Sequence, residues 1–197
     1  VDNEKKDWTR ISEPEEWLSG WAAFHDGVIH SIDSDRLQGT VAIDLKVGFP
    51  GPPFDYPERV GLAFAGVTAA QIFAFHYPPD AYADRYGGST REELLRRSRV
   101  ETIGLREFSL WCESQIHPEG VSSDISDAHY AIEPATVWLK LIGIGNGADY
   151  ATWSVEICAA SVEVVVPNEN KMSLGELLEI GRAGWDNFGS KAPYAKK

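Results

Sequence analysis

Cysteine and methionine are nearly absent from this chain, with two of the first and one of the second. Two thiols cannot build a disulfide framework, and without a CxxC pair there is no common zinc or redox motif. Cys112 and Cys158 fall in segments that read as strands, where a buried free thiol behaves as a small hydrophobe. A disulfide between them requires those strands to be neighbours. Basic residues are also scarce: 18 Lys and Arg against 30 Asp and Glu leave a net charge of −12. That balance repels phosphate backbones and argues against a nucleic-acid partner. The one basic cluster, Arg91, Arg96, Arg97 and Arg99, shares an expected short helix with Glu92 and Glu93 and reads as a solvated face. No apolar run reaches the roughly 18 residues that would suggest a membrane-spanning helix. A phosphate-cradling glycine loop, a GxSxG elbow and an HExxH motif are all missing, which removes three common enzyme signatures. No signal-peptide pattern is visible, so a cytoplasmic location is expected, and no cofactor is expected either.

What remains is an ordinary globular composition, 43% hydrophobic and 24% charged, which argues against wholesale disorder. A length of 197 residues suits one domain over 1–197, with a polar arm at 1–11 and a tail at 189–197. Ser12, Pro14 and Glu15 read as the start of a helix whose apolar face is Trp17, Leu18, Trp21 and Phe24. Gly27 can supply the positive φ that stops it. Val28–Asp33 and Thr40–Val47 then form a hairpin, followed by a proline-rich loop over 48–58.

Arg59–Gly66 and Ala70–Phe75 read as two strands, and Thr90 opens a short middle helix. Val100–Phe108 and Leu110–Ile116 read as a further strand pair, and residues 117–127 as an acidic loop. His129–Ile132 reads as a short strand and Thr136–Ile144 as a clear one, with an Asn-Gly turn behind it. Tyr150–Val166 alternates for longer than one strand usually runs, so a bend or bulge is expected near Ala159 and Ala160. Ser173 and Glu176 form a capping box that opens a last helix to about Arg182. The order predicts the α+β class, mainly β: an antiparallel sheet, sandwich or partly closed barrel with short N-terminal, middle and C-terminal helices.

The sharpest polar constellation is His25-Asp26 with His30 nearby. His25 beside Asp26 could serve as an oriented general base, although the same pair can simply satisfy turn amides and helix carbonyls. His117 and His129, with Asp124 and Asp127, make 117–129 a candidate metal loop, but the spacing matches no calcium or zinc signature. Glu156 and Glu163 lie an odd number of positions apart, which places them on opposite faces of a regular strand. Of seven tryptophans, Trp17, Trp21, Trp111, Trp138 and Trp153 sit in patterned elements and read as core. Trp8 and Trp185 read as contact residues.

The run Trp21-Ala-Ala-Phe24-His25-Asp26-Gly27-Val28-Ile29-His30-Ser31-Ile32 resembles the opening of certain small bacterial β-rich families, among them immunity proteins of polymorphic toxin systems. Arg59–Gly66 has a similar rhythm. The resemblance covers roughly residues 15–75 and implies a non-enzymatic, acidic binding protein facing a basic toxin surface. Asp124 and Asp127, with Phe54 and Tyr56 of the proline-rich loop, are the expected partner contacts. Two other readings stand beside it. One is a small-ligand binder whose sheet encloses an apolar cavity; the other is a hydrolase or metal enzyme using His25, Asp26 and His117 or His129.

Overall fold

A computed structural model describes residues 14–47, 59–76, 99–115, 124–144, 152–166 and 171–191. Its frame starts at the expected hairpin, β2 (Val28–Asp35) and β3 (Thr40–Lys46). The Asp35 carboxylate accepts the amide protons of Leu37 and Gln38 at 2.9 and 3.2 Å, and Gly39 takes φ +63° to close the turn. Val41, Ile43 and Leu45 alternate inward along β3. On β2 the inward residues are Ile29 and Ile32, three apart, because His30 is an extra residue in the ladder.

β4 (Arg59–His76) is one continuous strand where the sequence predicts two. Gly66 bends it at φ +62° without ending it, because β8 (Thr152–Val165) pairs along both halves. Inward residues run Val60, Leu62 and Phe64, then Val67, then Ala70, Ile72 and Ala74; Thr68 is the extra residue. β8 changes phase opposite that bend, with Val155, Ile157 and Ala159 inward, then Val162 and Val164. The irregularity expected near Ala159 and Ala160 is therefore present, shared between two strands.

β6 (Asp124–Glu133) and β7 (Thr136–Ile144) complete the frame, and β7 has the predicted limits. Pairing runs β6, β2, β3, β4, β8, β7 and back to β6, all antiparallel, with β5 (Arg99–Ile103) on the far half of β4. The sheet is partly ring-like but not a barrel. β2 meets β6 at one ladder step, Val28 opposite Asp124. Beyond that step the Ile32 amide donates to Ser109 Oγ at 2.8 Å, on a helix packed against β2.

That helix, α2 (Leu105–Gln115), stands where the sequence predicts the end of the Val100–Phe108 strand, whose start is present in β5, and the whole of its Leu110–Ile116 partner. Leu105, Phe108, Ser109 and Cys112 are buried while Arg106, Glu107, Leu110 and Glu113 are exposed, which is a helical period. Phe108 packs edge-on against Trp153 with ring centroids 5.2 Å apart. Cys112 belongs to this inner core, whereas Cys158 lies with Trp138 in a separate cluster. Both thiols are buried and no disulfide joins them.

The N-terminal helix is shorter than predicted. Leu18–Ser19 form β1, which pairs with β6, and only Trp21–Phe24 are helical (α1). Leu18, expected to face the core, is 44% exposed. The last helix, α3 (Leu174–Lys191), is longer than predicted and takes in part of the expected tail. Its capping box forms: the Ser173 amide donates to Glu176 Oε2 at 2.6 Å, and the Glu176 amide to Ser173 Oγ at 3.2 Å. Gly181 and Gly184 do not stop it, because both are buried on its docking face.

The predicted middle helix, the 48–58 loop with Phe54 and Tyr56, His117, Trp8 and the 1–11 arm lie outside the described residues. Among the described residues, no helix is long and apolar enough to cross a membrane.

Candidate partner-binding site

The stretch with the densest histidine and acid content becomes a joint between α1, β2 and β6. The His25 amide donates to the Trp21 carbonyl at 2.8 Å, closing the only turn of α1. The positive φ expected of Gly27 belongs instead to Asp26, at +60°. Asp is one of the few side chains that tolerate this conformation. Gly27 is required for space: a Cβ there would lie 2.8 Å from the Phe24 carbonyl oxygen and 2.9 Å from that of Lys46. Two backbone hydrogen bonds pin the joint to β6, Asp26 N to Ile125 O at 3.0 Å and Ile125 N to Gly27 O at 2.8 Å.

Three rings stack on this joint. Trp21 lies over His25 with centroids 4.5 Å apart and planes 25° apart, and Trp185 of α3 is 4.8 Å from Trp21. Gly181 permits the approach, since a Cβ there would fall 2.3 Å from the Ala22 carbonyl oxygen. Trp185 Nε1 donates to that same carbonyl at 3.1 Å. Trp185, read as an exposed contact, is thus half-buried, and Trp21 is half-buried beside it.

The His25 ring sits between a backbone carbonyl and the Asp26 carboxylate. Its Nδ1 is 3.2 Å from the Ser126 carbonyl oxygen, and its Nε2 is 3.4 Å from Asp26 Oδ1. The Asp26 side chain remains 60% exposed at the edge of the ring stack, and Asp186 is exposed one residue beyond Trp185.

Asp124 and Asp127, expected in a loop, are in β6. Ser126 is the extra residue between Ile125 and Asp127, and its bulge brings its carbonyl to His25. Asp127 Oδ2 lies 3.3 Å from His129 Nε2, and Trp17 meets His129 edge-on at 6.4 Å. Asp124, Asp127 and His129 thus share β6, and His25 and Asp26 meet that strand through its backbone at Ile125 and Ser126. Among the described residues, no group of three or more His, Cys, Asp or Glu is placed to hold a metal ion.

Two features were not legible in sequence. The first is a polar row across the outer sheet face, where Gln71, Glu156, Lys140 and His129 are successive cross-strand neighbours. Lys140 Nζ lies 2.6 Å from Glu156 Oε1, and Gln71 Nε2 donates to Glu156 Oε2 at 3.3 Å. Glu156 and Glu163 both face outward, against the expectation for a regular strand, because the phase change of β8 lies between them. They still do not pair, since Glu163 meets Lys171 at 2.7 Å. The second feature is the bulge that carries His30 and sets its surroundings. Burial, and then Arg59 and Lys46, lower its pKa from the usual 6.5, while Asp44 opposes them.

No protein-family model, no curated protein and no solved structure matches this chain.

Proposed function

We propose that this chain is a non-enzymatic acidic binding protein, an immunity-type inhibitor that covers a basic surface of a bacterial toxin in the cytoplasm. The observation that carries the reading is the Trp21–His25–Trp185 stack with the exposed carboxylate of Asp26 at its edge. Aromatic faces beside a carboxylate suit an incoming Lys or Arg, through cation–π attraction of about 0.5–1 kcal/mol at an exposed position and a charge-assisted hydrogen bond. Asp127 and Asp124 extend the acidic character along β6, and a net charge of −12 speeds encounter with a basic partner. The sheet interior is filled: Trp153, Phe24, Phe64 and Phe108 are at most 1% exposed. That favours a rigid binding protein over a barrel with an apolar ligand inside.

The test is titration calorimetry against the product of a toxin-like reading frame adjacent to the gene. Saturable binding that weakens at least about tenfold in Asp26→Asn and in Trp21→Ala supports the reading. The absence of any such neighbour, together with no captured partner, sinks it. Full-strength binding by both variants moves the contact surface elsewhere.

A further inference from the structure

A cleft of about 410 Å³ opens on the outer sheet face, and it is built differently from the aromatic joint. Its size falls in the range that holds small molecules. Three cross-strand rows line it in order. Phe75 lies opposite Thr152, Phe73 opposite Ser154 and Ser154 opposite Ile142, and in the last row Gln71, Glu156 and Lys140 are neighbours. Val100 of β5, 52% exposed, closes the apolar side. One end of the cleft is therefore aromatic and aliphatic, and the other is an ion pair.

The ion pair sets the chemistry of a ligand. Glu156 is only 16% exposed and Lys140 30%, so both charges are partly desolvated. Their contact at 2.6 Å balances them. A ligand with a charged head would add an unmatched charge at this end, which costs more than a neutral head that hydrogen-bonds both groups. Both partners have capacity left. A carboxylate offers about four lone-pair positions, of which Lys140 and Gln71 use two here; an ammonium has three donors, of which Glu156 takes one. A carboxamide matches that remainder, with its carbonyl oxygen accepting from Lys140 and its amino group donating to Glu156. The aromatic walls then cover an apolar body.

We propose that this outer-face cleft binds a small uncharged carboxamide carried on an aromatic body, independently of the partner surface at the α1–β2 joint. The test is an NMR titration of the full chain with benzamide, benzoate and benzylamine, which share one ring and differ in head charge. Benzamide is expected to bind saturably, shifting the amides of Phe73, Ile142 and Ser154, with benzoate and benzylamine roughly tenfold weaker, a ratio equivalent to about 1.4 kcal/mol.

Removing one charge should redirect the preference. Glu156→Gln leaves the Lys140 charge unbalanced and is expected to favour benzoate; Lys140→Gln is expected to favour benzylamine. Circular dichroism of each variant establishes that it is folded, and Val100→Asn, an uncharged change at an exposed edge of the cleft, should weaken benzamide without redirecting the preference. The proposal is overturned if the wild-type chain binds none of the three saturably, or binds all three alike. It is equally overturned if folded Glu156→Gln and Lys140→Gln keep the wild-type order.

Discussion

Gly143 and Trp153 share one space across β7 and β8: the indole ring occupies the position a side chain at 143 would need, with its nearest atom 1.9 Å from where a Cβ would stand. The ring is fully buried and braced on its other side by Phe108 of α2. A glycine inside a central strand thus makes room for a fully buried tryptophan. Gly143→Ala cannot be absorbed by a small shift, because the obstruction is a packed ring and not a flexible tail. Overpacking of this kind costs about 3 kcal/mol, which should appear as a lower urea midpoint with an unchanged slope.

Gly181 allows a comparison of opposing magnitudes. Alanine is favoured over glycine inside a helix by about 1 kcal/mol, so propensity alone predicts that Gly181→Ala stabilises α3. The Cβ, however, would lie 2.3 Å from the Ala22 carbonyl oxygen, the same atom that accepts from Trp185 Nε1. Separating α3 from α1 breaks that hydrogen bond and opens the ring stack. The expected result is a net loss of about 1–2 kcal/mol, accompanied by a red shift of tryptophan emission. A gain in stability would show that α3 can rotate away without loss.

Asp26 separates folding from binding. A non-glycine residue at φ +60° carries a steric cost, so Asp26→Gly should stabilise the fold by about 0.5 kcal/mol. The same change removes the exposed carboxylate from the ring stack and should weaken a basic partner. Thermal melting and partner titration on one variant are expected to move in opposite directions.

His30 gives the fold a pH dependence whose sign follows from its environment. Its pKa in the folded chain lies below the usual 6.5, through burial first and the Arg59 and Lys46 charges next, with Asp44 opposing. Above 6.5 the ring is neutral in both states and its full contribution is present. As pH falls through 6.5 the unfolded chain takes up the proton first, so stability drops until the folded pKa is passed. Urea midpoints compared between about pH 7.5 and about pH 5.5 should fall more in the wild-type chain than in His30→Gln.

The elements legible in advance are those set by neighbours in the chain. Strict alternation and flanking turn residues placed β2, β3 and β7, and the reciprocal Ser173–Glu176 cap placed the start of α3. Burial of both cysteines was expected from their neighbours in the chain, whereas the absence of a bridge is a result of the fold, which puts Cys112 on α2 and Cys158 on β8. The segment Leu105–Gln115 misled because its aromatic residues suit a strand as well as a helix, and its burial at 105, 108 and 112 depends on packing against β2 and Trp153, both distant in sequence. Of the candidate site, His25 and Asp26 stood out in sequence, whereas their contact with Ser126 depends on a bulge that periodicity does not reveal.

Residue chemistry alone settled a mainly β chain, its acidity, its hairpin and its C-terminal cap, because each depends on composition or on contacts a few positions apart. Tertiary packing decided the rest. It bent β4 without breaking it and moved the left-handed turn from Gly27 to Asp26, where Phe24 and Lys46 leave Gly27 no room for a side chain. It also aligned Gln71, Glu156 and Lys140, drawn from strands far apart in sequence, into one row. Register between distant strands follows from which faces must be buried together, and that sum over the whole molecule is not written in any single stretch of it.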